Sequence, residues 1–357
     1  MCLECFTIEK CPKKSNCLPI NYLAISASTG VGIGFSQMEE FLGVLDIPSM
    51  GSSTYNRVQK DVQQDISDAC NAEMYSAAME AKTLATERGD VDKDGVPLLS
   101  VVTDACFSKR TYGIGSSYSS LSAAGTIIAL DTGKVIWSSV ANKYCRICSH
   151  HEKNKSQEEF VPPHECNRNF VGPSTAMEAH LIVEGFKQSE NFYGVRYNRI
   201  VADGDSSVYK KLLDAKPYPN LHIEKIECRN HLMRNMRKKI RELIGNSKLL
   251  LRDRLKVKRN ATRIIVDIFC AIKHRKNMEV NFNDKVSLLK KDFDNVLNHV
   301  FGSHDQCEPY YCSGSKEGEI NEMTALKNTE TISNLRSIIN RLREHAKSLI
   351  YYLELRS

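Results

Sequence analysis

The apolar positions of this chain keep a helical period toward both ends and a strand period in the middle. Ser36-Gln-Met-Glu-Glu-Phe-Leu-Gly-Val-Leu45 places Met38, Phe41, Leu42 and Leu45 at i, i+3, i+4, i+7 spacing, the stripe of an amphipathic helix. A longer stretch from Ser53 to about Arg88, rich in Ala, Glu, Gln and Met, predicts a second helix that Gly89-Asp90 ends. The period then shortens. Pro97 to Asp104, Ala123 to Leu130 and Lys134 to Val140 predict three strands, and Asp131-Thr-Gly133 marks a hairpin between the last two. Pro173-Ser174-Thr-Ala-Met-Glu178 predicts a helix capped by Ser174, with Glu178 in its first turns, running to about Glu190. Strands at Tyr197 to Asp203 and Leu221 to Ile226 bracket a helix from Ser206. Helical spacing returns over 232–300 and 330–355, around a polar loop at 302–322 that holds Cys307 and Cys312.

The order β-β-β-α-β-α-β-α predicts an α/β fold: a mixed sheet flanked by helices, followed by a mostly helical C-terminal insertion. Four stretches follow from it: a Cys-rich segment 1–20, a helical region 21–95, a core 96–240 with a Cys/His insertion at 145–166, and helices over 241–357. The 357 residues, 41% hydrophobic and 26% charged, leave room for two or three packed units. No apolar run approaches the ~20 residues of a membrane span, so no membrane partner is expected.

Carboxylates end two of the expected strands. Asp104 closes Leu98-Leu-Ser-Val-Val-Thr103, and Asp203 closes Arg199-Ile-Val-Ala202. Neighbouring central strands would bring the two acids to one point, and the helix between them carries Glu178. Asp205 either shares the role or caps the next helix. An acid after an apolar run is also a common turn or cap residue; the joint order of the four is what points to chemistry. Converging carboxylates suit Mg²⁺ or Mn²⁺, which take hard oxygen ligands and, as a pair, activate the attacking oxygen and stabilise the leaving oxygen in phosphoryl transfer.

Thirteen cysteines, clustered in C-x-x-C pairs near histidines, argue for metal binding in a reducing compartment over a disulfide framework. Cys145-Arg-Ile-Cys148 followed by His164-Glu-Cys166 offers four ligands for tetrahedral Zn²⁺, with His150 and His151 as alternates. Cys2, Cys5, Cys11 and Cys17 are a weaker set. Cys228 and His231, in C-x-x-H spacing, fall where a strand passes into a basic helix. There they read as a core thiol and a capping imidazole, or as a brace for the active-site floor. The net charge of +6 is concentrated. From Arg229 to Arg259 there are twelve Lys or Arg against two acids. Arg229, Arg234, Arg237, Lys238, Lys239 and Arg241 are the candidate contacts to a phosphate backbone, where the plain reading is a solvated helix face.

Together these residues resemble the Mutator-like transposase domain, among DDE transposases with an RNase H-like core. The resemblance rests on Thr103-Asp104-x-x-Phe-Ser-Lys-Arg110, Asp131-Thr-Gly-Lys-Val, Cys145-x-x-Cys148, His164-x-Cys166-x-x-Asn169, Gly172-Pro-Ser-x-Ala-Met-Glu178, Ala202-Asp-Gly-Asp-Ser206 and Cys228-x-x-His231, and covers about residues 20 to 350. It implies an RNase H-like sheet with a zinc-knuckle insertion. It further implies cleavage and transfer of DNA at transposon ends using Mg²⁺ or Mn²⁺, transposon ends and target DNA as partners, a homo-oligomer, and the nucleus as the place of DNA transposition and recombination. Asp104 and Asp203 match the family's first two acids, and Cys228 and His231 its C-x-x-H signature. The third acid, a Glu after the helical insertion, has no clear counterpart: the chain closes at Tyr351-Tyr-Leu-Glu-Leu-Arg-Ser357, where that motif is expected to begin. A transposase-derived DNA-binding protein without catalysis is therefore the alternative. A third reading, a structure-specific nuclease, follows from Glu178 lying between Asp104 and Asp203, the acid order of ribonuclease H.

Overall fold

Five strands hydrogen-bond in the order β3-β2-β1-β4-β5 in the computed structural model, which describes residues 19–108, 120–153, 161–202 and 206–351. They are β1 (Leu98–Phe107), β2 (Ser122–Ala129), β3 (Val135–Asn142), β4 (Arg196–Ala202) and β5 (Glu224–Glu227). The first three pair antiparallel, whereas β4 joins β1 in parallel and β5 joins β4 in parallel. The helices are α1 (Pro19–Val31), α2 (Phe35–Val44), α3 (Ser52–Glu87), α4 (Arg146–Lys153), α5 (Met177–Tyr193), α6 (Ser206–Ala215), α7 (Arg229–Gly245), α8 (Leu251–Lys276), α9 (Phe282–Val300), α10 (Met323–Leu326), α11 (Glu330–Glu344) and α12 (Ala346–Tyr351). A mixed α/β sheet flanked by helices is what the sequence period predicts.

The chain divides into two compact units, Met1–Ala77 and Ala78–Ser357. In the first, Ile25, Met38, Tyr55, Val58 and Val62 form the core, and the Tyr22 hydroxyl donates to Asp65 at 2.7 Å. The predicted stripe of α2 is only half used. Met38 is buried and Leu42 packs at the core edge, whereas Phe41 and Leu45 are exposed.

In the second unit, alternation along the strands sorts side chains onto two faces. Thr103, Ala105 and Phe107 share a face with Ile127, Gly125 and Ala123, their partners on β2. This face receives α5. Gly125 is required there: a Cβ would lie 2.8 Å from Leu181 Cβ, and one on Gly185 would lie 2.5 Å from Trp137 Cδ1. Val102 sits on the opposite face with Leu130, Val201, Ile226, Cys228 and Tyr351 of α12. The last helix thus returns to the sheet, where Ser348 Oγ accepts the Glu227 N–H at 3.3 Å and Lys347 pairs with Glu224.

Three local expectations are corrected. β1 runs past Asp104 to Phe107, because β2 supplies partners down to Ala123. β5 begins at Glu224 instead of Leu221, since the Ile223 carbonyl accepts the Tyr209 hydroxyl at 2.8 Å in place of a ladder bond. Ser174 does not cap α5. It lies in a 3-10 turn, Ser174–Ala176, and its buried hydroxyl donates to the Ser120 carbonyl at 2.6 Å.

The helical insertion has its own core, from Met233 on α7 through Ile264, Ile268, Phe293 and Val296 to Leu335 and Leu349. Its interior also holds a charge pair. Arg275 Nε and Nη2 donate to the two oxygens of Asp292 at 2.7 and 2.8 Å, and the Tyr310 hydroxyl donates to Asp292 at 3.0 Å. Among the described residues no helix is long and apolar enough to cross a membrane.

Candidate functional site: an acid on the central strand, a Cys/His cluster and a basic helix

Asp104 sits where β1 changes partners. Its parallel ladder with β4 ends at the Val102–Val201 pair, while its antiparallel ladder with β2 continues through Asp104–Thr126. The carboxylate is exposed, and Oδ1 accepts the Ala105 N–H at 2.9 Å. By strand alternation it lies on the Val102 face. That is the face to which Tyr351 and Cys228 pack and the face opposite α5. Glu178 is half-buried in the first turn of α5. β4 ends at Ala202; Asp203 and Asp205 lie outside the described residues.

Cys228 is the N-cap of α7. It is half-buried, and its N–H donates to the Ala202 carbonyl at 3.2 Å, tying the helix start to the end of β4. His231 follows in the first turn, also half-buried. The basic candidates then separate by exposure. Arg234, Arg237, Lys238, Lys239 and Arg241 are exposed along α7, while Arg229 is half-buried. Arg237 lies over the Phe269 ring, 5.4 Å from its centroid. Beyond α7 the basic run is partly structural. Arg254 donates to the Ile244 and Leu249 carbonyls, and Lys256 pairs with Glu322 at 3.2 Å. Lys238 and Lys239 line a groove of about 390 Å³ between α7 and α11, with Arg341 and His345 on its far wall. Sequence reasoning missed Arg341 and His345 because α8, α9 and α10 intervene between them and α7.

Cys145, Cys148, His164 and Cys166 do converge. Their ligand atoms all lie within 4.8 Å of one another. His164 Nε2 is 3.2 Å from Cys145 Sγ and 3.4 Å from Cys148 Sγ, and Cys148 Sγ is 3.6 Å from Cys166 Sγ. His164 Nδ1 faces the Pro162 carbonyl at 2.8 Å, which fixes the ring with Nε2 inward. The Cys148 N–H and then His164 hold the Cys145 thiol down at about 6, against burial. The Pro162 carbonyl and then Cys145 push His164 up to about 9. Cys166, burial and Cys145 push Cys148 up to about 11. A divalent cation would displace the protons this cluster shares. The cluster forms because α4 begins inside the C-x-x-C, a helix the sequence period did not signal. The candidate alternates His150 and His151 face each other at 6.2 Å outside the cluster. Cys2, Cys5, Cys11 and Cys17 lie outside the described residues.

A mixed five-stranded sheet with an exposed central-strand acid, a basic helix and four Cys/His ligands that could hold a metal ion defines an α/β protein. The family model for Mutator-like transposase matches residues 1–312, and the chain belongs to that family. No curated protein matches the chain.

Proposed function

We propose that the chain works as a DDE transposase on an RNase H-like core, cleaving DNA at transposon ends and transferring it to a target. The observation that carries the reading is the placement of Asp104: an exposed carboxylate on the central strand, beside a parallel β4 that stops one residue before Asp203 in sequence. Order β3-β2-β1-β4-β5, with an antiparallel meander and a parallel addition, supports the RNase H-like assignment.

Asp104 offers the hard oxygen donor that Mg²⁺ or Mn²⁺ prefers. Bound there, a divalent pair would supply an activated water and stabilise the leaving oxygen. Asp104 and Asp203 would hold it, with Asp205 as a further acid, while Glu178 rides on α5 at the other face of the sheet. The protein's own groups do the positioning. Exposed Arg234, Arg237, Lys238, Lys239 and Arg241 track the phosphate backbone, the half-buried Arg229 sits at the helix start, and the Cys228-x-x-His231 turn fixes α7 against the end of β4. Cys145, Cys148, His164 and Cys166 fit zinc, since tetrahedral Zn–S and Zn–N bonds give ligand separations of about 3.5–3.8 Å. Action on chromosomal DNA places the protein in the nucleus, and pairing of two element ends calls for a homo-oligomer. The core 96–240 is the catalytic part of this scheme, and 241–357 the insertion that returns to it.

The test is Mn²⁺-dependent nicking of supercoiled plasmid and of element-end duplexes by the full chain. Asp104→Ala and Asp203→Ala are each expected to reduce nicking by at least about 100-fold. DNA binding with no nicking by the folded wild type would instead support the transposase-derived binding protein. Nicking unchanged in both variants would remove the proposed metal site.

A further inference from the structure

The end of α9 and the loop after it carry His299-x4-His304-x2-Cys307-x4-Cys312. The chain reverses at Gly302, where φ is 85° and an added Cβ would lie 2.6 Å from the Ile320 carbonyl oxygen; a side chain has no room there. This reversal folds the loop back over the helix end and brings four donors together. Cys307 Sγ is 3.3 Å from His299 Nδ1 and 3.7 Å from His304 Nδ1, and Cys312 Sγ is 3.3 Å from His304 Nδ1. All four ligand atoms lie within 4.8 Å of one another. Zinc at about 2.3 Å from sulfur and about 2.0 Å from nitrogen demands N···S edges of about 3.5 Å. The observed edges fall on both sides of that value.

What surrounds the four donors is equally specific. Each imidazole turns Nδ1 inward and has a carboxylate behind it: Glu319 is 3.0 Å from His304 Nε2, and Asp267 on α8 is 3.5 Å from His299 Nε2. That is how histidines bound to metal are oriented. Each sulfur also receives an N–H. Asn295 Nδ2 is 3.4 Å from Cys307 Sγ, and the Gly314 N–H is 3.3 Å from Cys312 Sγ. His299 is 7% exposed, and the other three are half-buried.

We propose that His299, His304, Cys307 and Cys312 form a structural zinc site, distinct from the cluster at Cys145–Cys166, that pins the loop 303–319 onto α8 and α9. Two sulfurs and two imidazole nitrogens select zinc over Mg²⁺ or Ca²⁺, which take oxygen. Four protein ligands close the coordination shell, so the site shapes the fold and leaves no position for a reacting water. The loop it holds delivers Tyr310 to the buried Asp292 and Glu319 to Arg263, at 3.0 and 3.8 Å.

The experiment is elemental analysis of the purified full chain beside a Cys307→Ser, Cys312→Ser double variant and a Cys145→Ser, Cys148→Ser double variant. The first variant is expected to lose one zinc equivalent relative to wild type, the second a different one, and the combination both. Equal zinc in wild type and in the Cys307→Ser, Cys312→Ser variant overturns the site. Should that variant fail to fold, maleimide labelling of wild type with peptide mapping decides. Cys307 and Cys312 should resist modification until a chelator is added, whereas the exposed Cys70 reacts at once. Modification of both at the rate of Cys70 without chelator overturns the proposal.

Discussion

Within Ala78–Ser357, the sheet and the helical insertion close their interiors by opposite means. α5 approaches the sheet across Gly125 and Gly185, where Leu181, Ile127 and Trp137 fill the space a Cβ would take. In the insertion, α8 and α9 share an apolar core and add to it the Arg275–Asp292 pair, whose side chains are 4% and 2% exposed, with the Tyr310 hydroxyl on the same carboxylate. The apolar contact depends on shape alone, while the polar one depends on every partner being present. A buried ion pair adds little net stability over a hydrophobic substitute, but losing one member leaves the other charged and stranded. The insertion should therefore be the half more sensitive to single polar substitutions, and the sheet the half more sensitive to added volume.

The largest effect is expected from Asp292→Ala. It leaves buried Arg275 only Glu308, 3.6 Å away, as an acidic partner, and should lower unfolding free energy by about 3–5 kcal/mol, read as a urea midpoint shift. A change within experimental scatter would dissolve the contrast. Gly185→Val tests the sheet side. Overpacking costs about 1–3 kcal/mol, and Trp137, the only tryptophan, lies against the added methyls and reports the shift by its fluorescence. An unmoved Trp137 spectrum with unchanged stability would show that α5 does not rely on close approach. Weaker still is Lys238→Ala with Lys239→Ala, two exposed groups on α7. Stability should hold, while the slope of log affinity for DNA against log salt falls by about one per lysine. A slope equal to wild type would take the groove off the DNA path.

The smallest effect concerns pH. Burial would raise the Asp92 carboxyl, but the Val96 N–H, Arg196 and the Asp94 N–H together hold it below its ordinary 3.8. A depressed folded value means stability that is full above 3.8 and lost as pH falls through the folded value. Asp92→Asn should lower stability modestly at pH 7, where that contribution is present, and converge with wild type below the folded value, so the acid limb flattens. An identical acid limb in the variant would show that Arg196 and the turn do not favour the ionised form.

The two Cys/His clusters show that legibility depends on a recognisable ligand spacing, since the unread set is the shorter in sequence. Cys145-x-x-Cys148 was readable, because two thiols one helical turn apart near a His-x-Cys pair are a recognisable ligand set. The set at 299–312 was not. Its first histidine reads as one more residue of α9, His304 reads as loop, and only the reversal at Gly302 shows that they face each other. The groove between α7 and α11 was hidden for the same reason. Lys238 and Arg341 are neighbours only because both helices pack on Ile338 and Met236.

By itself the sequence determined the α/β class, the five strands and their order in the chain, the family resemblance, and the residues of the first cluster. Apolar period and short ligand spacings are local quantities, so a linear reading recovers them. The tertiary structure decided which face of the sheet each acid's element serves. Strand alternation puts Asp104 with Val102 and Tyr351, while α5, which carries Glu178, packs on the other side. It also decided where β1 ends and β5 begins, which basic side chains are spent on carbonyls and acids, and that His299 at the end of α9 shares one point with His304, Cys307 and Cys312. Except for that last cluster, whose members lie close in sequence, these are contacts between elements well separated in the chain, and all exist only after close packing has chosen among the pairings the sequence allows.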